Sequence, residues 1–107
     1  MKRSDLVTVV LPGDLGKPRP AVVLQSDLFL NSVTVVVAPM TSDISDIPFA
    51  RITVLPNEGN GLRKPTQIML DKITNLRREK VGKVIGALEK AQIEQVEKAL
   101  AIFLGLD

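Results

Sequence analysis

A series of short apolar runs, separated by turns that contain Pro, Gly or Asn, constrains the fold of this 107-residue chain more than any other feature. Short β-branched runs at roughly regular spacing are typical of strands in a small antiparallel barrel or a strongly bent sheet. The run at residues 21–24 is continuously apolar, which indicates a strand buried on both faces. The predicted strands are residues 6–11, 21–24, 33–37, 50–55, 66–73 and 84–86.

The hydrophobic period changes after residue 89, where apolar side chains recur every three or four positions. This spacing predicts an amphipathic helix that ends near Gly105. We interpret its apolar face as core packing, with a partner-binding face as the alternative; the face consists of Ile93, Val96, Leu100, Phe103 and Leu104. The predicted fold class is therefore mainly β (α+β), with one domain over residues 1–107. We also expect a short helical turn within residues 74–80, and we expect the loop residues Phe29 and Leu30 to pack onto the core.

Cysteine and histidine are both missing, and their absence excludes several kinds of chemistry. Without cysteine there are no disulfides and no thiolate metal ligands, which fits a reducing, cytoplasmic setting. Without histidine the commonest acid–base group near neutral pH is missing, and a zinc site loses its nitrogen ligands. We therefore expect no metal and no other cofactor. No apolar run reaches the ~18 residues of a membrane span, and the N-terminus does not have the pattern of a signal peptide.

Basic side chains are concentrated in one part of a chain whose net charge is only +2. Residues 21–50 contain three Asp and no Lys or Arg, whereas residues 51–83 contain eight basic and three acidic residues. This asymmetry indicates an anionic partner, with an ordinary solvated surface as the alternative. Because Trp and Tyr are absent, stacking on RNA bases could use only Phe29, Phe49 and Phe103.

The loop and strand at residues 13–27 contain the most conspicuous candidate, Arg19, with Lys17 beside it. Pro18 and Pro20 fix their own φ angles and keep the residues before them extended, so Arg19 is held at the mouth of a strand. A rigid arginine in that position is suited to an anion. The alternative is a structural pair with a surface carboxylate.

Other polar candidates lie at predicted strand ends, which can gather at one rim of an antiparallel barrel. Thr41 and Ser42 follow the third strand, and Thr66 begins the fifth. Asp71 lies within that predicted fifth strand in an apolar run, where a carboxylate is either structurally paired or functional. Phosphate-binding loops of the GxxxxGK[ST] and GxGxxG types are absent.

Several short motifs occur in an order that identifies a family. They are KRSD at residues 2–5, GKPRPAVVLQSD at 16–27, VVVAPMTS at 35–42, GLRK at 61–64 followed by TQIMLDKIT at 66–74, and VG and GAL at 81–88. Together they resemble the MazF/PemK/Kid family of toxins from type II toxin–antitoxin systems. The resemblance runs nearly end to end and includes the C-terminal Leu-Gly-Leu.

The resemblance implies an SH3-like barrel of five to seven strands that forms a homodimer and cleaves single-stranded RNA without a metal. It also implies a cognate antitoxin that covers the site. The toxin would contact DNA only indirectly, through this antitoxin, and would not bind a membrane. By position, the catalytic residues would be Arg19, Thr41 and Asp71, and Ser42 and Thr66 would bind the substrate. We add four basic residues as further substrate-binding candidates: Lys17, Arg51, Lys72 and Arg77.

These residue types suit a reaction in which the 2′-hydroxyl of RNA attacks the adjacent phosphate. Arg19 would stabilise the charge on the phosphorane-like transition state, Thr41 would position a phosphate oxygen, and Asp71 would act as the base. The products would carry a 2′,3′-cyclic phosphate and a 5′-hydroxyl. The general acid stays open, with Arg51, Lys72 and Arg77 as candidates.

The chain also departs from the family pattern. Its first loop, residues 13–18, is shorter than the loop of many members and lacks their G-S-E-Q-like run. Met69 stands where Kid-like members have an arginine, and Lys72 replaces the family's Gln. Two alternatives remain: a gyrase poison of the CcdB type on the same fold, although the terminal Trp of such toxins is missing, and a catalytically inactive binding module.

Overall fold

The computed structural model describes residues 1–29 and 31–106. In these ranges the chain forms seven strands and one α-helix. The strands are β1 (Asp5–Val9), β2 (Arg19–Val23), β3 (Thr34–Thr41), β4 (Arg51–Val54), β5 (Thr66–Met69), β6 (Thr74–Arg77) and β7 (Val84–Ala87), and the helix is α1 (Lys90–Leu104). Short 3₁₀ turns occupy Asp27–Phe29, Leu70–Lys72 and Arg78–Lys80.

All strand pairs are antiparallel, and the strands follow the order β4-β5-β3-β2-β1-β7, with β6 also paired to β3. The long strand β3 organises this sheet. Its first residues pair with β6, its middle with β2, and its last residues, Met40 and Thr41, with β5. Because one strand serves three partners, the sheet curls into a half-barrel. The predicted class, an antiparallel barrel-like sheet with a C-terminal helix, is confirmed.

The curled sheet is buried on both faces, which explains the continuous apolar runs. On one face, Leu6 and Val22 pack with α1 residues such as Val96 in the main core. On the other face, Val7 and Val23 belong to a second cluster, which is partly covered by Leu11, Leu76 and Val81. Neighbouring residues of β1 and β2 therefore enter different clusters, as the period of two in a strand requires.

The apolar run at residues 33–37 predicted the third strand, with its end within residues 38–42, and β3 continues to Thr41. Proline has no N–H donor and is usually found at a strand end or edge. In the structure Pro39 lies opposite Ala21, and the next residue, Met40, already pairs with Ile68 of β5. The proline therefore lies where β3 exchanges one partner strand for another.

The predicted strand at residues 66–73 was too long. Strand β5 ends at Met69, and Leu70–Lys72 form a 3₁₀ turn, so Asp71 does not lie in a strand. The expected helical turn near residue 80 is present, but it follows strand β6, which was not predicted. Strand β6 is polar and half-exposed because it pairs only with β3.

Helix α1 has a reciprocal cap between Glu89 and Gln92 at its start and a left-handed Gly105 at its end, which confirms the predicted helix. Core packing holds for Ile93 and Val96, whereas Phe103 and Leu104 are about half exposed. Phe29 is also exposed rather than packed on the core, and Leu30 lies outside the described residues. In the described part of the chain, no helix is long and apolar enough to cross a membrane.

Candidate active site

Arg19 begins β2 and forms a two-pronged ion pair with Asp14 in the preceding loop. Its Nε donates to Oδ2 of Asp14 at 2.8 Å, and its Nη2 donates to Oδ1 at 2.6 Å. The Asp14 side chain is only 11% exposed and also accepts a hydrogen bond from the backbone N–H of Leu11. The hydrogen bond from Arg19 lowers the pKa of Asp14 below its ordinary value, although partial burial opposes this shift. A neighbouring carboxylate therefore orients the guanidinium.

The short first loop makes this pair possible because its backbone turns sharply. Gly13, Leu15 and Gly16 all have left-handed φ angles, of 90°, 54° and 79°. Two backbone hydrogen bonds, from Asp14 to Leu11 and from Lys17 to Asp14, close consecutive turns. The turns bring Asp14 back beneath Arg19. The loop that is shortened relative to the family pattern therefore still provides a carboxylate beside the arginine.

A surface groove of about 810 Å³ lies beside this pair, where β2, β3 and β5 meet. It collects five of the nine candidate residues predicted from the sequence: Lys17, Arg19, Thr41, Ser42 and Thr66. Their elements are neighbours because β3 lies between β2 and β5 in the sheet. The expectation that strand ends would gather at one rim holds for Arg19, Thr41, Ser42 and Thr66, whereas Asp71 does not line the groove.

The hydroxyl groups in the groove differ in their availability. Thr41 Oγ1 accepts a hydrogen bond from the backbone N–H of Asp43 at 3.1 Å, and within residues 1–29 and 31–106 its own proton has no acceptor, so it can be donated to a ligand. Ser42 is exposed. Thr66 is buried, and its hydroxyl donates to the backbone carbonyl of Lys64 at 2.8 Å. That proton is therefore already used in a hydrogen bond within the protein. Thr41 and Ser42 are therefore better placed than Thr66 to donate to a ligand.

The other four candidates lie outside this groove. Asp71 accepts hydrogen bonds from Arg51 Nε at 2.9 Å and Nη2 at 3.2 Å, and these bonds lower the pKa of Asp71 against the effect of its partial burial. Arg77 is exposed and pairs with Glu79. Lys72 lines a smaller cavity of about 290 Å³, which it shares with Asp14 and Arg19.

Three charged groove residues were not selected from the sequence: Asp14, Arg63 and Lys64. The signals for them were weak. Asp14 precedes Arg19 by five positions across a glycine turn, and Arg63 and Lys64 belong to the basic segment at residues 51–83. No group of three or more Asp and Glu side chains suited to a metal ion occurs among residues 1–29 and 31–106.

Comparison with known proteins identifies the class of this chain. Residues 2–104 match the family described as PemK-like, MazF-like toxin of type II toxin–antitoxin system. The chain belongs to this family, which confirms the resemblance of its motifs.

Individual relatives agree with this assignment. The chain is 34% identical to a probable endoribonuclease MazF of Mycolicibacterium smegmatis over 107 residues, which cover 99% of this chain and 98% of the relative. The fold is similar to that of Mycobacterium tuberculosis toxin MazF-mt6, with a TM-score of 0.82 at 23% identity over 96% of this chain and 98% of the other. It is also similar to a mycobacterial endoribonuclease in complex with its cognate antitoxin, with a TM-score of 0.83 at 19% identity over 100% and 97% of the two chains.

Proposed function

We propose that this toxin is a metal-independent, sequence-selective endoribonuclease that cuts single-stranded RNA, including mRNA, and so inhibits translation and growth. The observation that carries the proposal is the placement of Arg19 and Thr41 in one open groove that also contains Lys17, Arg63 and Lys64. A polyanionic strand is the substrate that such a groove suits best. The curated relative named as a probable endoribonuclease supports the reaction class.

In the proposed reaction the 2′-oxygen forms a bond to phosphorus while the bond from phosphorus to the 5′-oxygen breaks. Arg19 presents paired donors to the non-bridging oxygens, and Thr41 donates its free proton to one of them. The products carry a 2′,3′-cyclic phosphate and a 5′-hydroxyl. Lys17, Ser42 and Thr66 line the path of the strand.

The base that removes the 2′-hydroxyl proton can be assigned to Asp14 or Asp71. Asp71 pairs with Arg51 and does not line the groove, whereas Asp14 lines the groove next to Arg19. We therefore place the base at Asp14, with Asp71 as the alternative to be tested. The leaving 5′-oxygen must receive a proton from a general acid. We favour Lys72 for this role over Arg51 and Arg77, because Lys72 shares a cavity with Arg19.

Two protein partners belong to the same proposal. A cognate antitoxin would cover the groove, as suggested by structures of similar toxins with antitoxins, among them MazE–MazF from Deinococcus radiodurans. A second copy of this chain would form a homodimer, because Ile102, Phe103, Leu104 and Leu106 leave apolar surface exposed at the end of α1. We place the protein in the cytoplasm, with DNA reached only through the antitoxin.

The test is cleavage of a mixed single-stranded RNA by purified protein in the presence of a metal chelator. Arg19→Ala and Thr41→Ala should each reduce kcat at least 100-fold, because each removes a donor to the transition state. Asp46→Asn, an exposed loop change outside the groove, is the control. Undiminished cleavage by Arg19→Ala would refute the proposed mechanism, and inhibition of gyrase supercoiling without RNA cleavage would favour the CcdB-like alternative.

A further inference from the structure

We propose that Arg63 and Lys64 form a second phosphate-binding site, which holds the RNA strand at a phosphodiester next to the one that is cleaved. This inference rests on the proposed function and extends it to a part of the groove that the catalytic residues do not use. It assigns binding rather than chemistry to the two side chains. The ligand class is a phosphodiester of a single-stranded nucleic acid.

The first observation is the position of the two cations relative to Arg19. Arg19 is two residues before Ala21, which lies opposite Pro39, so Thr41 at the end of β3 lies beside Arg19. On the other side of β3, Thr41 pairs with Gln67 of β5. Gln67 is therefore about two strand spacings from Arg19, roughly 10 Å, and Arg63 and Lys64 follow a few residues further along the same groove. An extended dinucleotide can span that distance with Thr41 near its middle.

The second observation is that hydrogen bonds fix the conformation of the loop before Arg63. Asn60 is fully buried, and its side chain makes three hydrogen bonds to the backbone. Its Oδ1 accepts from the N–H groups of Asn57 at 3.2 Å and Leu62 at 3.0 Å, and its Nδ2 donates to the carbonyl of Leu55 at 2.9 Å. A buried amide with all these partners satisfied fixes the local backbone.

The backbone is fixed directly before and after the two cations as well. Gly61 is left-handed, with φ of 71°, and a Cβ at this position would lie 2.2 Å from the carbonyl oxygen of Ile85. After the pair, the Thr66 hydroxyl holds the carbonyl of Lys64. The backbone that carries Arg63 and Lys64 is therefore preorganised against the edge of β7, and binding would require ordering of their side chains only.

The third observation concerns charge. Within residues 1–29 and 31–106, neither Arg63 nor Lys64 has a carboxylate within 4.0 Å, whereas Arg19 and Arg51 are each paired with an aspartate. Both side chains are exposed at the groove. These two cations lie on a fixed loop and line the same groove as Arg19, so they match the repeating charge of a nucleic-acid strand better than a single anion.

The test measures cleavage kinetics and salt dependence for Arg63→Gln, Lys64→Gln and the double variant. Each single change should raise KM about 3- to 10-fold with kcat within twofold, and should reduce the slope of log binding constant against log salt by about 0.7. Arg63→Lys should restore part of the loss. Lys98→Gln, on the exposed face of α1, is the matched control and should change neither quantity.

A binding assay separates failure of this inference from failure of the proposed function. The probe is an RNA oligonucleotide with a 2′-deoxy residue at the cleavage position, in which single phosphates are replaced in turn by uncharged methylphosphonates. At one position, the neutral linkage should remove the difference in binding affinity between wild type and Arg63→Gln. If KM and the salt slope stay unchanged in both variants, or if only antitoxin binding is weakened, the inference is wrong even where cleavage is intact. If wild type cleaves no RNA, the proposed function fails first, and the oligonucleotide still tests the site.

Discussion

At the scale of single residues, the Asp14–Arg19 pair determines what the groove can do before RNA arrives. Asp14 accepts from Nε and Nη2, one of the two-donor edges of the guanidinium, and leaves the Nη1–Nη2 edge for a phosphate. A phosphate bound at that edge competes with this carboxylate for Nη2. Once released from Arg19, the same carboxylate becomes free to accept a proton. One residue thus competes with substrate binding and assists the reaction.

The first prediction follows from these two roles. Asp14→Asn should tighten binding of a non-cleavable RNA several-fold, because an amide competes less well for Arg19, and should lower kcat by about 10²- to 10⁴-fold, because the base is lost. Fluorescence anisotropy and single-turnover cleavage measure the two effects. If binding and turnover fall together, Asp14 only positions Arg19.

A second prediction concerns pH. Because the hydrogen bond from Arg19 lowers the pKa of Asp14, this carboxylate is ionised in the free enzyme down to acid pH. The acid limb of kcat/KM should therefore lie below pH ~4, and not near 6.5 where a histidine base would place it. A pH–rate profile measured with a stability control at each pH checks this. A limb between pH 6 and 7 would point to another base.

A third prediction distinguishes the two aspartates. The Arg51 side chain is only 8% exposed, so Asp71→Asn would leave a nearly buried guanidinium without its charge partner. We expect a loss of about 1–3 kcal/mol in the free energy of unfolding, with the partial exposure of Asp71 reducing the value expected for a fully buried pair. The pKa of Asp71 is lowered on folding, so this stabilisation is present above pH ~4 and is lost as pH falls through the folded-state pKa.

Thermal unfolding of wild type and Asp71→Asn at pH 7 and pH 3 measures this difference. The difference between the two proteins should be largest at pH 7 and smaller at pH 3. If Asp71→Asn instead keeps its melting temperature but stops cleaving RNA, the base belongs at Asp71 and not at Asp14.

At the scale of elements, the loop between β4 and β5 shows how a buried polar residue can serve a surface site. Asn60 lies in a turn-forming stretch that indicates a hairpin connection and nothing more. In the structure it shapes the segment that precedes Arg63 and Lys64. The backbone hydrogen bond from Ala87 to Gly59 links this loop to β7.

The fourth prediction therefore concerns Asn60→Ala. It should lower the free energy of unfolding by about 1–3 kcal/mol, because three partly buried hydrogen bonds to the backbone are lost. It should also raise KM for RNA, since the backbone that carries the two cations loses its fixed shape. Chemical unfolding and cleavage kinetics measure both effects, with Asn31→Ala at an exposed turn as the control. A stability loss without any change in KM would separate the loop from RNA binding.

The sequence predicts an element well where burial controls the hydrophobic pattern. It predicts the ends of an element poorly where a change of partner strand or a local turn determines them. The apolar runs of β1 and β2 and the three-four spacing of α1 reflect burial directly, so their predicted positions were close. The extension of β3 past Pro39 depends on β5, which is distant in the sequence. The break after Met69 depends on the 3₁₀ turn that brings Asp71 to Arg51. Periodicity contains neither kind of information.

The same limit applies to the site. Arg19 and Thr41 stood out because prolines and strand ends mark them in the sequence. Asp14 did not stand out, because the two left-handed glycines that return it to Arg19 act through backbone geometry. For Arg63 and Lys64, the sequence shows their positive charge but not their place in the groove. Their orientation depends on Asn60 and on the close approach of Gly61 to Ile85.

At the scale of the whole molecule, the curled sheet explains why one groove collects residues from distant parts of the chain. Strand β3 pairs with β2 on one side and β5 on the other, so residues near positions 19, 41 and 66 meet at one rim. The main core lies under α1, and Met40 is its buried residue that also lines the groove. Substitutions of the exposed polar residues of the groove can therefore change binding or turnover with little effect on folding.

The most direct test of the central claim is to map the 5′ ends of RNA cut by the purified toxin and to determine the chemistry of both new ends. We expect cuts at a short recurring sequence, 5′-hydroxyl and 2′,3′-cyclic phosphate ends, the same pattern in a metal chelator, and loss of the pattern in Arg19→Ala. Scattered cuts with 5′-phosphate ends, or an unchanged pattern in Arg19→Ala, would contradict the assignment of this groove as the site of 2′-hydroxyl attack.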